Sequence, residues 1–374
     1  MHICIVTEDF LPNIGGMSQH VYEIARCFVR SGINVTVINQ VVEDRAEGIE
    51  DYEGIRVVRS SFESLSPKTR IIPYCMKLRR LILQEHDRLS IDVIHWHDLR
   101  AGLAIKYLPF DCPKVFTNHS STFLMRKSSR AYRSYYRFSL NHADHFLAPS
   151  QELAEETDKL LACTTTYIPN GYDPSRFYPQ HADGLRAELG IAETDQVLLV
   201  PRRLAPKNGV FVLAQAMPKI LAAHPNARAV ITGGGFPEER GRIEELASTH
   251  SYVDRINFLD GVENQYMPRH YNMADLVVMP SFMEAVSLSA LEAMGCGKCV
   301  VASDVGGLSQ LFKGEQWGKL VPPGAPDDLA DAIIELLGND SKRSELANAG
   351  REHVLENYTW EQVANQTLRS YKVA

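Results

Sequence analysis

A chain of 374 residues, 45% hydrophobic and 23% charged, has the size of two ordinary globular domains and carries neither a low-complexity tract nor a repeat of fixed period. Its formal charge of -7 and the absence of a recognisable nucleic-acid-binding motif argue against nucleic acid as a partner, and no segment approaches the roughly 20 uninterrupted apolar residues of a membrane span. Seven scattered cysteines, an odd number, fit a reducing cytoplasmic compartment better than a disulfide framework.

The opening residues HICIVT have no basic leader and no small-residue cleavage site, so they read as a buried strand and not as a signal peptide. The loop that follows, EDFLPNIGGMSQH, sets Gly15 and Gly16 directly before a helix with apolar spacing at Val21, Ile24, Ala25, Phe28 and Val29. Glycines at a helix N-terminus let free N–H groups approach a diphosphate, although a purely structural turn explains the pair equally well. The GxGxxG spacing is missing, which counts against a dehydrogenase. Further strands are read at NVTVINQ, IRVVRS, DVIHWH, KVFTNH and HFLAPS, with helices between them, which predicts a doubly wound parallel sheet.

The stretch from Arg56 to Arg137 holds 16 Lys or Arg against 6 Asp or Glu. Its cations form two clusters, Lys68, Arg70, Lys77, Arg79 and Arg80 (68–80) and Arg126, Lys127, Arg130, Arg133 and Arg137 (126–137), both interleaved with apolar and aromatic residues. Each reads either as a solvated helix face or as a basic amphipathic helix for anionic lipid or a phosphorylated acceptor. His95, His97 and Asp98 follow a strand and have the look of metal ligands, with a cleft-lining or structural role as the other reading.

After FYPQHADG, a Pro- and Gly-bearing linker, the pattern starts again: QVLLVPR, ARAVITGGG, INFLDGV, LVVMPS, CVVASD and GKLVPP are predicted strands. The expected organisation is an N-terminal domain over 1–178, a second domain over 184–355, and a C-terminal helix within 356–374 that packs back on the first domain. In open α/β sheets ligands bind beyond the carboxyl ends of the strands, so two such sheets facing one another are expected to form a cleft. VPRRLAPKNG puts Arg203 and Lys207 where cations can stabilise a departing diphosphate. In PSFMEAVSLSALEAMGCG a helix predicted to start near Val286 places the N–H groups of Val286, Ser287 and Leu288 beside Glu284, with Glu292 about two turns along. Carboxylates there suit sugar hydroxyls, which donate hydrogen bonds. The Cys296-Gly-Lys-Cys299 spacing has no second cysteine pair, and neither a redox nor a metal role is expected of it.

Taken in order, NIGGMSQHV, FTNH, IPNGYDPSRF, RRLAPKNG, ITGGG, the two glutamates with seven residues between them and CVVASDVGGL resemble the retaining glycosyltransferases of family 4, which have the GT-B fold. The resemblance covers nearly the whole chain. It implies two Rossmann-like domains, a nucleotide-sugar donor (UDP-sugar favoured, GDP-mannose possible) and no required metal or other cofactor. It also implies transfer of a hexosyl group, with retention, to a hydroxyl of a glycan, lipid-linked or small-molecule acceptor. Carried over residue by residue, Gly16 matches the loop glycine, His119 the histidine near the reaction centre, Arg203 the diphosphate arginine, Glu284 the residue beside the donor sugar and Glu292 the ribose-binding carboxylate. His119, Arg203, Lys207 and Glu284 are thus the catalytic candidates. Gly15, Gly16, Asn170, Arg203, Lys207, Gly234, Val262, Glu284, Val286, Ser287, Leu288 and Glu292 are the donor-binding candidates. Two segments depart from the family: Asn208 stands where a lysine is common, with Lys207 one residue earlier, and Ala285, Val286 and Ser287 replace the usual Pro-Phe-Gly. A GT-B epimerase or hydrolase, or an inactive donor-binding subunit, are the rival expectations. A cytoplasmic protein, peripheral at the inner membrane face and serving polysaccharide or glycoconjugate synthesis, completes the reading.

Overall fold

The computed structural model describes residues 1–13, 15–41, 47–62, 71–120, 123, 129–182, 184–284, 287–314 and 316–371. It divides into two compact units, Met1–Gly171 with Trp360–Ala374, and Tyr172–Thr359.

The first unit is built on an eight-stranded sheet. In chain order its strands are β1 (His2–Thr7), β2 (Asn34–Val41), β3 (Gly48–Tyr52), β4 (Ile55–Ser61), β5 (Val93–Trp96), β6 (Lys114–Thr117), β7 (His145–Ala148) and β8 (Thr165–Tyr167), arranged β3-β4-β2-β1-β5-β6-β7-β8. Every residue of β1 is buried, as expected of a central strand covered on both faces. Two strands escape the sequence reading. β3 pairs antiparallel with β4 through a turn in which Glu53 (φ 55°) and Gly54 (φ 82°) take the left-handed conformation, and all five of its residues are exposed, so it has no apolar run to betray it. β8 is only three residues long.

The helix Gly16–Arg30 packs against the helix Trp360–Ser370, which buries Trp360, Val363, Ala364 and Thr367, a single helical face. The division between units falls at Gly171, earlier than the expected linker. Tyr172 donates its N–H to the Tyr358 carbonyl at 2.8 Å, and Tyr172 and Phe177 lie in the apolar core of the second unit with Met294. The returning C-terminal piece likewise starts at Trp360 and not at 356, because the helix Asp340–Asn357 belongs to the second unit.

The second unit holds β9 (Gln196–Leu204), β10 (Ala227–Gly235), β11 (Ile256–Phe258), β12 (Leu276–Met279), β13 (Val300–Ser303) and β14 (Lys319–Val321), all parallel, in the order β11-β10-β9-β12-β13-β14. Leu198 and Val200 pack on one face of the sheet, Val197 and Leu199 on the other. Each such burial contributes about 1.5–3 kcal/mol, and together they fix the register of β9. Both sheets reverse their strand order once, between β1 and β5 and between β9 and β12, and loops leaving neighbouring strands there diverge and open a crevice. Among the described residues no helix is long and apolar enough to cross a membrane.

Candidate functional site

At the β9/β12 reversal, three loops of the second unit are tied together by their backbones. The Phe282 N–H donates to the Lys207 carbonyl at 2.9 Å, and the Gly307 N–H donates to the Glu284 carbonyl at 2.8 Å. Two glycines make these approaches feasible. Gly209 (φ 64°) and Gly306 (φ 47°) adopt left-handed backbone, and a Cβ on either would overlap a carbonyl, that of Pro280 or of Glu284. The carboxylate of Glu284 is ion-paired with Arg202, both side chains largely buried, and Arg202 Nη2 also donates to Ser287 Oγ at 3.4 Å.

Arg203, the neighbour on the opposite face of β9, is exposed, as is Lys207; neither has an ion pair among the described residues. Asn208 is buried and donates its side-chain N–H to the Arg203 carbonyl at 2.8 Å, so the residue that departs from the family pattern acts as a brace for the turn.

The helix expected from Val286 begins two residues later, as Leu288–Gly295, because the Ser287 hydroxyl caps it by accepting from the Ala290 N–H at 3.2 Å. Ser287 is therefore a cap and Leu288 the first helical residue, while Val286 lies outside the described residues. Glu292, on this helix, is 7% exposed. It accepts hydrogen bonds from the Tyr271 hydroxyl at 2.8 Å and from Asn264 Nδ2 at 3.2 Å, and Arg176 in turn donates to Asn264 Oδ1 at 2.5 Å. Burial pushes the Glu292 carboxyl up to about 7, opposed by these two donors and the nearby Arg176 charge. Gly234, near the carboxyl end of β10, and Val262, beyond β11, lie close together: a Cβ on Gly234 would lie 3.5 Å from the Gly261 nitrogen, and the Val262 N–H reaches the Thr232 carbonyl at 3.5 Å. Cys296 and Cys299 are buried free thiols, each pushed up to about 12 by burial.

The other candidates belong to the first unit. Gly15 caps the helix that begins at Gly16. Asn170, a donor-binding candidate, is buried with its Oδ1 2.9 Å from His20 Nδ1. The His95 and His97 rings pack together, but the nitrogens of His95 and the oxygens of Asp98 are turned to other partners. Both nitrogens of His95 are engaged at 2.7 Å, with the Tyr371 and Thr117 hydroxyls, and the Asp98 oxygens accept from the Ala101 N–H at 2.9 Å and from Gln40 at 3.3 Å. The structure gathers a different set: His97 Nδ1 lies 3.0 Å from His119 Nε2, and the His20 ring meets that of His119 edge-on at 4.7 Å. Burial lowers all of them, His20 to about 4, His95 to about 3, and His97 and His119 well below the ordinary histidine value, so these imidazoles are neutral at pH 7.

A carboxylate-bearing helix, backbone-tied loops and cations without an ion pair among the described residues, all at the carboxyl ends of a Rossmann-type sheet, suit an anionic, hydroxyl-rich ligand. Residues 14–176 match the model of glycosyltransferase family 4, and residues 182–353 that of the glycosyl transferases group 1. An uncharacterized glycosyltransferase of Methanocaldococcus jannaschii is 30% identical over all of this chain and 98% of its own length. The chain belongs to the family 4 glycosyltransferases. The D-inositol 3-phosphate glycosyltransferase of Geodermatophilus obscurus is 29% identical, over 100% of this chain and 88% of that protein. Among solved structures, the sucrose-phosphate synthase of Thermosynechococcus elongatus superposes with a TM-score of 0.84 at 25% identity over 99% of this chain and 98% of its own. Anabaena HepE, solved with UDP and glucose, superposes with a TM-score of 0.79 at 22% identity over 100% and 99%. The architecture of this glycosyltransferase is GT-B.

Sequence reasoning on this transferase missed Arg202, the partner of Glu284, although two adjacent arginines on a strand point to opposite faces and so meet different surroundings. It also missed Tyr271 and Asn264, which lie 21 and 28 residues from Glu292 and carry no local signal.

Proposed function

We propose that this glycosyltransferase moves a hexosyl group, with retention of anomeric configuration, from a nucleotide-sugar to an acceptor hydroxyl, a UDP-sugar being preferred over GDP-mannose. Glu292 carries the proposal: a buried carboxylate held by Tyr271 and Asn264 on the helix of the donor unit can accept two hydrogen bonds from a ribose diol. In this reading Arg203 and Lys207 stabilise the diphosphate as it leaves, Glu284 faces the donor sugar from its ion pair with Arg202, and the leaving phosphate helps to take the acceptor proton. The first unit supplies the acceptor side, with His119 positioning the reacting group. The UDP-bound HepE structure supports the choice of donor base. A thermal-shift screen of UDP- and GDP-sugars tests it, since a ligand specific for the folded state raises the melting temperature. NMR of the product decides the reaction class: an epimerised or hydrolysed donor without glycoside overturns transfer.

A lipid-linked acceptor at an anionic, cytoplasmic membrane face, in glycolipid or polysaccharide assembly, is the finer part of the proposal. The helix Ile71–Arg88 exposes Ile72 and Met76 beside Arg79 and Arg80, and the helix Arg130–Leu140 exposes Arg130, Arg133 and Phe138. Such a mixture of apolar and basic side chains suits a headgroup layer. Lys77 and Arg137 are occupied within the unit, by Glu47 and by the Leu160 carbonyl, and Lys68, Arg70, Arg126 and Lys127 lie outside the described residues. Sedimentation with phosphatidylglycerol-containing vesicles, reduced by salt and by Arg79→Glu with Arg80→Glu, is the expected result; equal recovery with neutral vesicles overturns it.

A further inference from the structure

We propose that His20, His97 and His119 form a binding site for a borderline transition-metal cation such as Zn²⁺, and that the cation antagonises sugar transfer when bound. The three rings come from the helix Gly16–Arg30 and from the loops after β5 and β6, brought together by neighbouring positions in the sheet and not by sequence. One ligand atom from each lies within 4.8 Å of the other two. The His97 Nδ1 to His119 Nε2 distance is already 3.0 Å. Tetrahedral ligation at roughly 2.0–2.1 Å sets nitrogens about 3.4 Å apart, so His97 and His119 already stand near ligating separation and the His20 nitrogen has at most about 1.4 Å to close.

Two further observations mark these rings as ligands. His20 is held through Nδ1 by the Asn170 carboxamide, and this fixes the ring and leaves Nε2 for a cation, as outer partners of metal-binding histidines do. His95 packs on His97 with ring centroids 4.3 Å apart and is itself pinned by Thr117 and Tyr371, so the His97 ring is backed by a rigid wall. An all-imidazole set without a carboxylate selects Zn²⁺, Cu²⁺ or Ni²⁺ over Mg²⁺ or Ca²⁺. His119 is the most exposed of the three and is the point of entry. Because His119 is the residue assigned to the reacting group, a cation on its ring removes it from that task.

Equilibrium dialysis of the full-length, metal-stripped protein against Zn²⁺ tests the site without reference to activity. The expected result is saturable binding of about one ion per chain, with affinity lowered about 10²-fold or more in His20→Gln and in His97→Gln and unchanged in His353→Gln, a histidine of the other unit. Absence of saturable binding, or equal binding by all variants, overturns the site. As buried substitutions can unfold the chain, Co²⁺ loading of the unaltered protein is the second measure. Intense visible d–d absorption without a near-ultraviolet thiolate band supports imidazole ligation, whereas a thiolate-to-cobalt band assigns the metal to the cysteines and overturns the proposal. The antagonism rests on the transfer reading above: Zn²⁺ is expected to inhibit product formation, with His20→Gln raising the inhibiting concentration in step with its binding defect. Binding without inhibition overturns the antagonism and leaves the dialysis result standing.

Discussion

Replacement of Glu292 by glutamine isolates the cost of keeping a carboxylate in the donor site. Burial raises this acid from its ordinary 4.5 to about 7, and at 1.36 kcal/mol per pH unit the ionised form costs the folded chain about 3 kcal/mol. The folded pKa lies above the unfolded one, so the folded state holds its proton more tightly between pH 4.5 and 7. The penalty is absent below about pH 4.5, grows through that interval and is complete above pH 7. Glutamine keeps the acceptor for the Tyr271 hydroxyl and has no charge to bury. At pH 8 Glu292→Gln should therefore stabilise the second unit by about 3 kcal/mol, or about 6–12 °C in a unit of this size, and at pH 4.5 the two proteins should melt together. The same change removes charge-assisted acceptance of ribose hydroxyls, worth about 1.5–3 kcal/mol, so nucleotide affinity should fall about 10- to 100-fold. Thermal melts from pH 4.5 to 8, with and without UDP, measure both quantities. A variant destabilised equally at every pH, or one that binds UDP normally, refutes the reasoning.

Arg203→Ala should lower turnover by about 10²-fold, the scale of losing one transition-state donor, while changing stability by less than about 0.5 kcal/mol because the side chain is exposed; normal turnover in steady-state assays removes Arg203 from the mechanism. Arg202→Met should do the opposite in stability, costing about 3–5 kcal/mol in denaturant melts by stranding the Glu284 carboxylate, and an unchanged midpoint means that the pair carries no weight. Gly306→Ala should cost more than about 1 kcal/mol and weaken donor binding in calorimetry, since a Cβ there meets the Glu284 carbonyl at a positive φ.

Much of the fold was legible because it rests on local rules. Short aliphatic runs buried on both faces announced β1 and β9, and the apolar spacing of Val21, Ile24, Ala25 and Phe28 announced the helix behind the first loop. β3 stayed hidden because its GIEDY residues are all exposed, and the division between units was misplaced because Tyr172 and Phe177 are held by residues far along the chain. Glu284 and Glu292 were visible as a spaced pair on one loop and helix. Their partners were not: Arg202 was masked by its neighbour Arg203, and Tyr271 reaches Glu292 only once the sheet has placed their helices together.

The histidines draw the same line most sharply. Sequence alone set His95, His97 and Asp98 side by side, yet in the fold the nitrogens of His95 and the oxygens of Asp98 are taken by other partners. Sequence determined the two Rossmann-type patterns, the candidate carboxylates and the family to which they belong. Only the tertiary structure decided which groups meet, because strands adjacent in a parallel sheet bring together residues such as His97 and His119 that are separated by a whole crossover.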